Sequence, residues 1–201
     1  MNINTISQNM FGARFSQDTT TKNLLKEGIQ TYPYQVYEAH NFLERVRTND
    51  EISLSTTQSS DGVKYFIQRN NNEKVEISTP IINYTTPIVN ILKQLSYTIA
   101  RGGEDFNKIF GKNVEVSGDF SSIAKASIDK FIDRIDVNDF VQEIIKLENE
   151  NRTLKFKKLK GLDNSILLER LIKQNNQKIQ QLRNICFAKD KEFVSKALRI
   201  K

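Results

Sequence analysis

The residues that most often carry covalent links or metal chemistry are scarce in this sequence. The 201-residue chain has one cysteine, one histidine and no tryptophan. A single cysteine excludes an intramolecular disulfide, and one histidine with one cysteine cannot supply the ligands of a structural zinc site. A chain of this length can bury enough apolar surface to fold without such supports.

Long apolar runs are missing as well. The longest is Ile185-Cys186-Phe187-Ala188, far short of the roughly 20 residues that a membrane-spanning helix needs. The first residues also lack the apolar core of a secretory signal. We therefore expect a soluble, cytoplasmic protein with no transmembrane segment.

No catalytic motif stands out. His40 lies at the edge of the apolar stripe of a helix predicted over residues 32–47. Cys186 lies among the apolar residues of a helix predicted over residues 165–187, where a thiol acts as a small hydrophobic group. The glycines at 102, 103 and 111 lack the spacing and the Lys-Ser/Thr ending of a phosphate-binding loop. We expect a protein that is not an enzyme and that uses no cofactor or metal.

Positive charge is concentrated in the last quarter of the chain. The net charge is +6, yet residues 146–201 alone hold fifteen cations against six acids. Such a block attracts nucleic acid, anionic membrane or acidic proteins. The charge does not choose among these partners.

The first half of the sequence predicts a small α+β module. Residues 1–19 are polar without apolar periodicity and predict a flexible arm. Residues 20–102 predict an α-β-β-β-α module, whose strands alternate apolar and polar residues and whose first hairpin turn is Asp61-Gly62. The strands should form a three-stranded antiparallel meander flanked by helices.

The order of elements over residues 32–101 is similar to that of the double-stranded-RNA-binding domain. This resemblance rests on topology and covers one third of the chain. That family grips phosphates with a lysine cluster at the start of its second helix. The corresponding residues here, 81–87, include no cation, so the resemblance implies a fold without an RNA contact by this module.

The second half predicts a mostly helical region. Residues 101–118 carry four of the eight glycines, so we expect a linker over 103–118. Residues 119–201 then predict an amphipathic helix at 119–135, a helical hairpin and a last short helix at 189–199 capped by Asp190.

Two heptad seams predict the hairpin, with arms at 137–160 and 165–187. The turn between them is Gly161-Leu162-Asp163-Asn164. If the arms fold back antiparallel, Asn151 faces Asn175, and a buried amide pair would fix the register. The seams close either within one chain or between two chains, so a homo-oligomer is also compatible with the pattern.

The first arm ends in a run of cations. Their positions at a helix C-terminus complement the helix dipole without any ligand, although phosphate and an acidic protein are alternatives. Phe156 lies near the seam and is expected to be buried. The candidate partner-binding or anion-binding residues are Arg152, Lys155, Lys157, Lys158 and Lys160.

From these patterns we predict a non-catalytic binding or scaffolding protein. It would act on a protein partner through its helical face and basic C-terminal region. The alternative is a sequence-nonspecific nucleic-acid-binding protein that uses the same cations. The predicted fold class is α+β and mostly helical.

Overall fold

The computed structural model describes residues 12–60, 62–77, 87–133, 135–162 and 164–200. The predicted class, α+β and mostly helical, is confirmed. The strands are β1 (Arg14–Phe15), β2 (Glu51–Ser59), β3 (Gly62–Arg69) and β4 (Val75–Ile77). The helices are α1 (Thr19–Thr31), α2 (Pro33–Leu43), α3 (Pro87–Arg101), α4 (Glu104–Phe110), α5 (Phe120–Ile132), α6 (Ile135–Leu159) and α7 (Ser165–Ala197).

The sheet is mixed and has the order β1-β2-β3-β4. Strands β2, β3 and β4 form the predicted antiparallel meander, but β1 adds a fourth strand parallel to β2. The flexible arm predicted over residues 1–19 is therefore wrong for its last part. Ala13 and Phe15 are buried, and the Ser16 amide donates to the Ile52 carbonyl at 2.9 Å. Residues 1–11 lie outside the described residues.

Helices α1, α2 and α3 pack together, and α1 and α2 also contact the sheet. Pro33 and Pro87 each begin a helix, where a missing N–H has no cost. The Thr21 hydroxyl ties α1 to the sheet, because it accepts a hydrogen bond from the Leu54 amide at 2.9 Å. Phe42 is fully buried, with its ring centre 5.6 Å from that of Phe120.

The linker predicted over residues 103–118 contains helix α4 instead. Phe106, Ile109 and Phe110 are buried, because their spacing places them on one face of a short helix. Arg69 connects this helix to the sheet, since its guanidinium donates to the Phe110 carbonyl and to Asp50, the latter at 2.6 Å. Burial raises the pKa of Asp50, but hydrogen bonds from Thr48, Asn70 and Arg69 outweigh it and lower the pKa overall.

The chain divides into two compact units. The first unit comprises Met1–Ile128 and Val194–Lys201, and the second comprises Asp129–Phe193. In the part that the structure describes, no helix is both long enough and apolar enough to cross a membrane.

Helix α7 is continuous to Ala197, so the separate helix predicted over 189–199 is wrong and Asp190 is not a cap. No glycine or proline lies between Phe187 and Asp190 to interrupt it. The helix ends where Arg199 takes a left-handed φ of 54°, and the Ile200 amide bonds back to the Ser195 carbonyl at 2.8 Å.

Candidate functional site: the helical hairpin and its tip

The turn between α6 and α7 lies where the sequence predicts it. Gly161 has a φ of 62°, and the amides of Gly161 and Leu162 bond back to the carbonyls of Lys158 and Lys157, both at 3.1 Å. This pair of bonds is a Schellman motif, which satisfies the last carbonyls of α6. The Asn164 side chain then caps α7 by accepting from the Ile166 amide at 3.0 Å.

Ion pairs along the arms show that they run antiparallel. Lys158 near the end of α6 pairs with Glu169 near the start of α7. Farther from the turn, Lys178 Nζ lies 2.6 Å from Glu143 Oε1. The hydrogen bond from Lys178 lowers the pKa of Glu143, and the positive charges of Lys178 and Lys146 lower it further.

A buried asparagine lies midway along the hairpin, but its partner is not the predicted one. Asn151 is 6% exposed, and its Nδ2 donates to Asn176 Oδ1 at 2.9 Å. Asn175 is half-buried instead, with its Nδ2 3.5 Å from Glu150 Oε2. Asn175 remains on the half-buried seam, between Ile172 and Ile179, so the seam itself is not displaced, and the Asn151 amide bonds to the adjacent Asn176 instead. Asn151 Oδ1 is buried and has no hydrogen-bond partner among the described residues.

Burial along the arms otherwise follows the predicted seams. The seam residues Val137, Leu147, Leu168 and Ile179 are buried, whereas Lys158 is exposed. The other apolar residues of the two predicted seams are half-buried: Phe140, Ile144, Leu154, Ile172, Leu182 and Cys186. Cys186 is one of the half-buried residues. The hairpin therefore closes along the two ridges that the sequence indicates.

The end of the hairpin exposes a cluster of large apolar side chains, which we call the apolar tip. Phe156 is 56% exposed, so its predicted burial is wrong, because Leu154 is the half-buried position in that helical turn. Sequence reasoning missed the rest, although three consecutive apolar residues after a turn, where the seam needs one, were a visible signal. The apolar tip consists of Phe156, Leu159, Leu162, Ile166 and Leu167.

All five predicted cations are exposed beside the apolar tip, and we call them the basic collar. Lys158 is engaged by Glu169, and Lys160 Nζ lies 5.9 Å from the centre of the Phe156 ring. Within the described residues, no acid forms an ion pair with the other three. The basic collar consists of Arg152, Lys155, Lys157, Lys158 and Lys160.

One face of the hairpin carries an open groove of about 740 Å³, which we call the apolar groove. Its apolar lining comes from Ile145, Leu154 and Leu171, and Lys146 and Thr153 contribute to its polar edge. Ile145 and Leu171 are both exposed. Large side chains of this kind on a surface groove are typical of a protein-binding site.

His40 lines a separate cleft of about 630 Å³ within the first unit. The His40 Nε2 atom lies 3.4 Å from Glu44 Oε1. The cleft is also lined by Arg14, Arg45 and Arg199. The described lining residues include no hydroxyl or thiol nucleophile. Within the described ranges, no cluster of three or more His, Cys, Asp or Glu residues could hold a metal ion. This cleft therefore gives no basis for assigning a reaction.

Comparisons of the chain with protein-family models, with curated proteins and with solved structures found no match. The element order of the double-stranded-RNA-binding domain is present as α2-β2-β3-β4-α3. Helix α1 and the parallel strand β1 depart from that order, and residues 81–86 lie outside the described residues. The chain is thus an α+β protein with a long helical hairpin, and the hairpin's own chemistry must carry any functional argument.

Proposed function

We propose that this chain is a non-catalytic binding protein and that the hairpin of α6 and α7 is its binding element. The observation that carries the proposal is that the hairpin leaves large apolar side chains exposed along one face and at its end. Contiguous apolar surface on a protein marks an interaction site, because water covers it at a cost in free energy.

The apolar groove supports a protein partner. A groove between two helices, with apolar walls and a polar edge, suits the apolar face of an amphipathic helix. Ile145 and Leu171 would supply the buried centre, while Lys146 would meet an acidic rim. A scaffolding role follows if the groove and the apolar tip engage different partners.

We place this binding activity in the cytoplasm, because a single cysteine suits a reducing compartment.

Substitutions in the groove test this proposal. Proteins that copurify with the full chain from its native cell should be lost when Ile145→Asp and Leu171→Asp are combined. The matched control is Ile132→Asp, which places a charge on an exposed side chain of the same unit outside the groove. A partner retained by the double variant would contradict a groove-based function. Circular dichroism would verify that the hairpin is still helical, and the molecular mass in solution would show whether the partner is a second copy.

Nucleic-acid binding is the second candidate, because Arg152, Lys155 and Lys157 are exposed and form no described ion pair. Counterion release predicts that such binding weakens steeply as salt rises. Changing Lys155, Lys157, Lys158 and Lys160 together to Gln should abolish a shift of RNA or DNA in a gel. The absence of any shift at about 50 mM salt would eliminate this candidate.

A further inference from the structure

We infer that the end of the hairpin, formed by the apolar tip and the basic collar, binds an anionic lipid surface. The inference rests on the proposal that the hairpin is the binding element. It assigns a partner of a different class to residues outside the apolar groove.

The shape of the tip suits shallow insertion into a bilayer interface. Leu159 is 86% exposed, Ile166 80% and Leu162 67%. All three lie within five residues of Gly161, so they occupy roughly the last helical turn of the hairpin, about 5 Å of its length. Interfacial apolar groups enter the headgroup and acyl boundary by about 5–10 Å. The tip can therefore enter without drawing the seam residues in with it.

The charges lie at the height that anionic headgroups would occupy. The basic collar starts one residue before Gly161 and ends at Arg152, which spans about 12 Å along the helix axis. Residues 152–170 hold six cations and two acids. The pair of Lys158 with Glu169 removes one of each, which leaves five cations and one acid, Asp163. Cations beside inserted apolar groups add attraction to phosphatidylserine-type lipids.

The backbone at the bend is suited to entry into a less polar environment. Unpaired backbone groups are costly in such a medium. Here the Gly161 and Leu162 amides bond to carbonyls at the end of α6, and Asn164 caps the start of α7. These bonds reduce the number of polar groups that would lose water.

Other partners use only part of this surface. A nucleic acid would pair with the basic collar but leave Leu159 and Ile166 in water. A second copy placed tip to tip would bring two basic collars together, which like charges oppose. Protein interfaces bury their apolar anchors in shaped pockets, whereas this tip is a projecting end. A fluid bilayer accepts projecting side chains without a matching shape.

The absence of tryptophan provides a direct probe. Leu159→Trp introduces the sole tryptophan into the full chain. We expect its fluorescence to shift to shorter wavelength with vesicles of phosphatidylcholine containing about 30% phosphatidylserine, and to stay unchanged with phosphatidylcholine alone. The matched control is Tyr97→Trp, an exposed aromatic position of the first unit, which should not respond to either vesicle.

Sedimentation of the unlabelled chain with vesicles measures separately what the cations and the apolar side chains contribute to lipid binding. Changing Lys155, Lys157 and Lys160 to Gln should weaken binding by roughly fivefold for each cation. The charge-matched control changes the exposed Lys26, Lys112 and Lys125 of the first unit and should have little effect. Leu159→Gln with Ile166→Gln should weaken binding by more than about tenfold, whereas Ile132→Gln should not.

Three outcomes would overturn the inference. The first is that the Leu159→Trp fluorescence does not shift and the chain does not sediment with anionic vesicles at low salt. The second is that the chain binds neutral and anionic vesicles equally well. The third is that the chain shifts RNA in a lysine-dependent way but does not bind lipid. The groove proposal fails separately, because Ile145→Asp with Leu171→Asp should leave vesicle binding intact. Loss of lipid binding in the tip variants should likewise leave the copurifying protein in place.

Discussion

The two units differ in where they keep their large apolar side chains. The first unit buries Phe42, Leu92 and Phe110 among helices α1 to α4 and a sheet. The second unit is a pair of long helices, which can bury only the ridge that each arm turns toward the other. Leu159 and Ile166, although as hydrophobic as the core residues, are consequently left in water.

This difference indicates which unit is adapted to binding. A layered fold can enclose apolar groups on several sides, but a two-helix hairpin cannot, so any apolar residue away from its seam stays exposed. Surface leucine and isoleucine are common singly. A cluster of five large apolar side chains at one end, four leucines or isoleucines and one phenylalanine, beside five cations, is a feature of the second unit alone among the described residues.

Truncating one phenylalanine in each unit should give the largest difference in the free energy of unfolding. Phe42→Ala removes a fully buried ring and should lower the free energy of unfolding by about 3–5 kcal/mol. Phe156→Ala makes the same chemical change on an exposed ring and should alter it by less than about 0.5 kcal/mol. Urea unfolding monitored by circular dichroism measures both. Equal losses would mean that Phe156 is buried in solution, and with it the apolar tip.

One substitution inside the hairpin should raise the free energy of unfolding, whereas Phe42→Ala lowers it, and the change should be smaller than that of Phe42→Ala. Asn151→Leu removes a buried oxygen that has no partner among the described residues, so the free energy of unfolding should rise by about 1–3 kcal/mol. Asn175→Leu, at a half-buried position on the facing helix α7, should change the free energy of unfolding by less. A loss of stability in Asn151→Leu would show that Oδ1 is satisfied, for example by water, and that the amide contributes net stability.

The smallest expected effect concerns pH. The pKa of Glu143 in the folded hairpin lies below its ordinary value of 4.5, so its contribution to stability is complete above that pH. The contribution is lost as pH falls through the lowered pKa, because protonation removes the pairing with Lys178. Lys178→Gln should raise the pKa of Glu143, measured by carboxyl NMR titration. Lys173→Gln on the same helix should leave it unchanged, and an equal response to both would contradict the specific pairing.

The sequence was most informative where one periodic pattern dominates the packing. Heptad spacing and the Gly161 turn placed the hairpin and set its register to within one residue. The hydrogen-bond partner of Asn151 could not be predicted, because a heptad pattern places residues on a seam but does not determine which of two adjacent amides a side chain reaches.

Elements with short or mixed signals were missed. Strand β1 has two residues and no alternation to detect; its pairing with β2 depends on distant residues. Helix α4 lies in a glycine-rich stretch, and its buried face is three residues, Phe106, Ile109 and Phe110. For the candidate site, the basic collar was predicted from the sequence, but the exposure of the apolar tip was not. The run Ile166-Leu167-Leu168 holds two more apolar residues than one seam position can bury, yet the pattern alone does not decide whether the other two pack against another element or lie in water.

The end of α7 has a consequence for cleavage of the chain. Val194, Leu198 and Ile200 are buried in the first unit, so the polypeptide returns there after completing the hairpin. A protease cut at the exposed bend near Leu162 would sever the covalent path between the two arms. The two fragments should nevertheless remain associated, held by the shared core of the first unit, and separate only on denaturation.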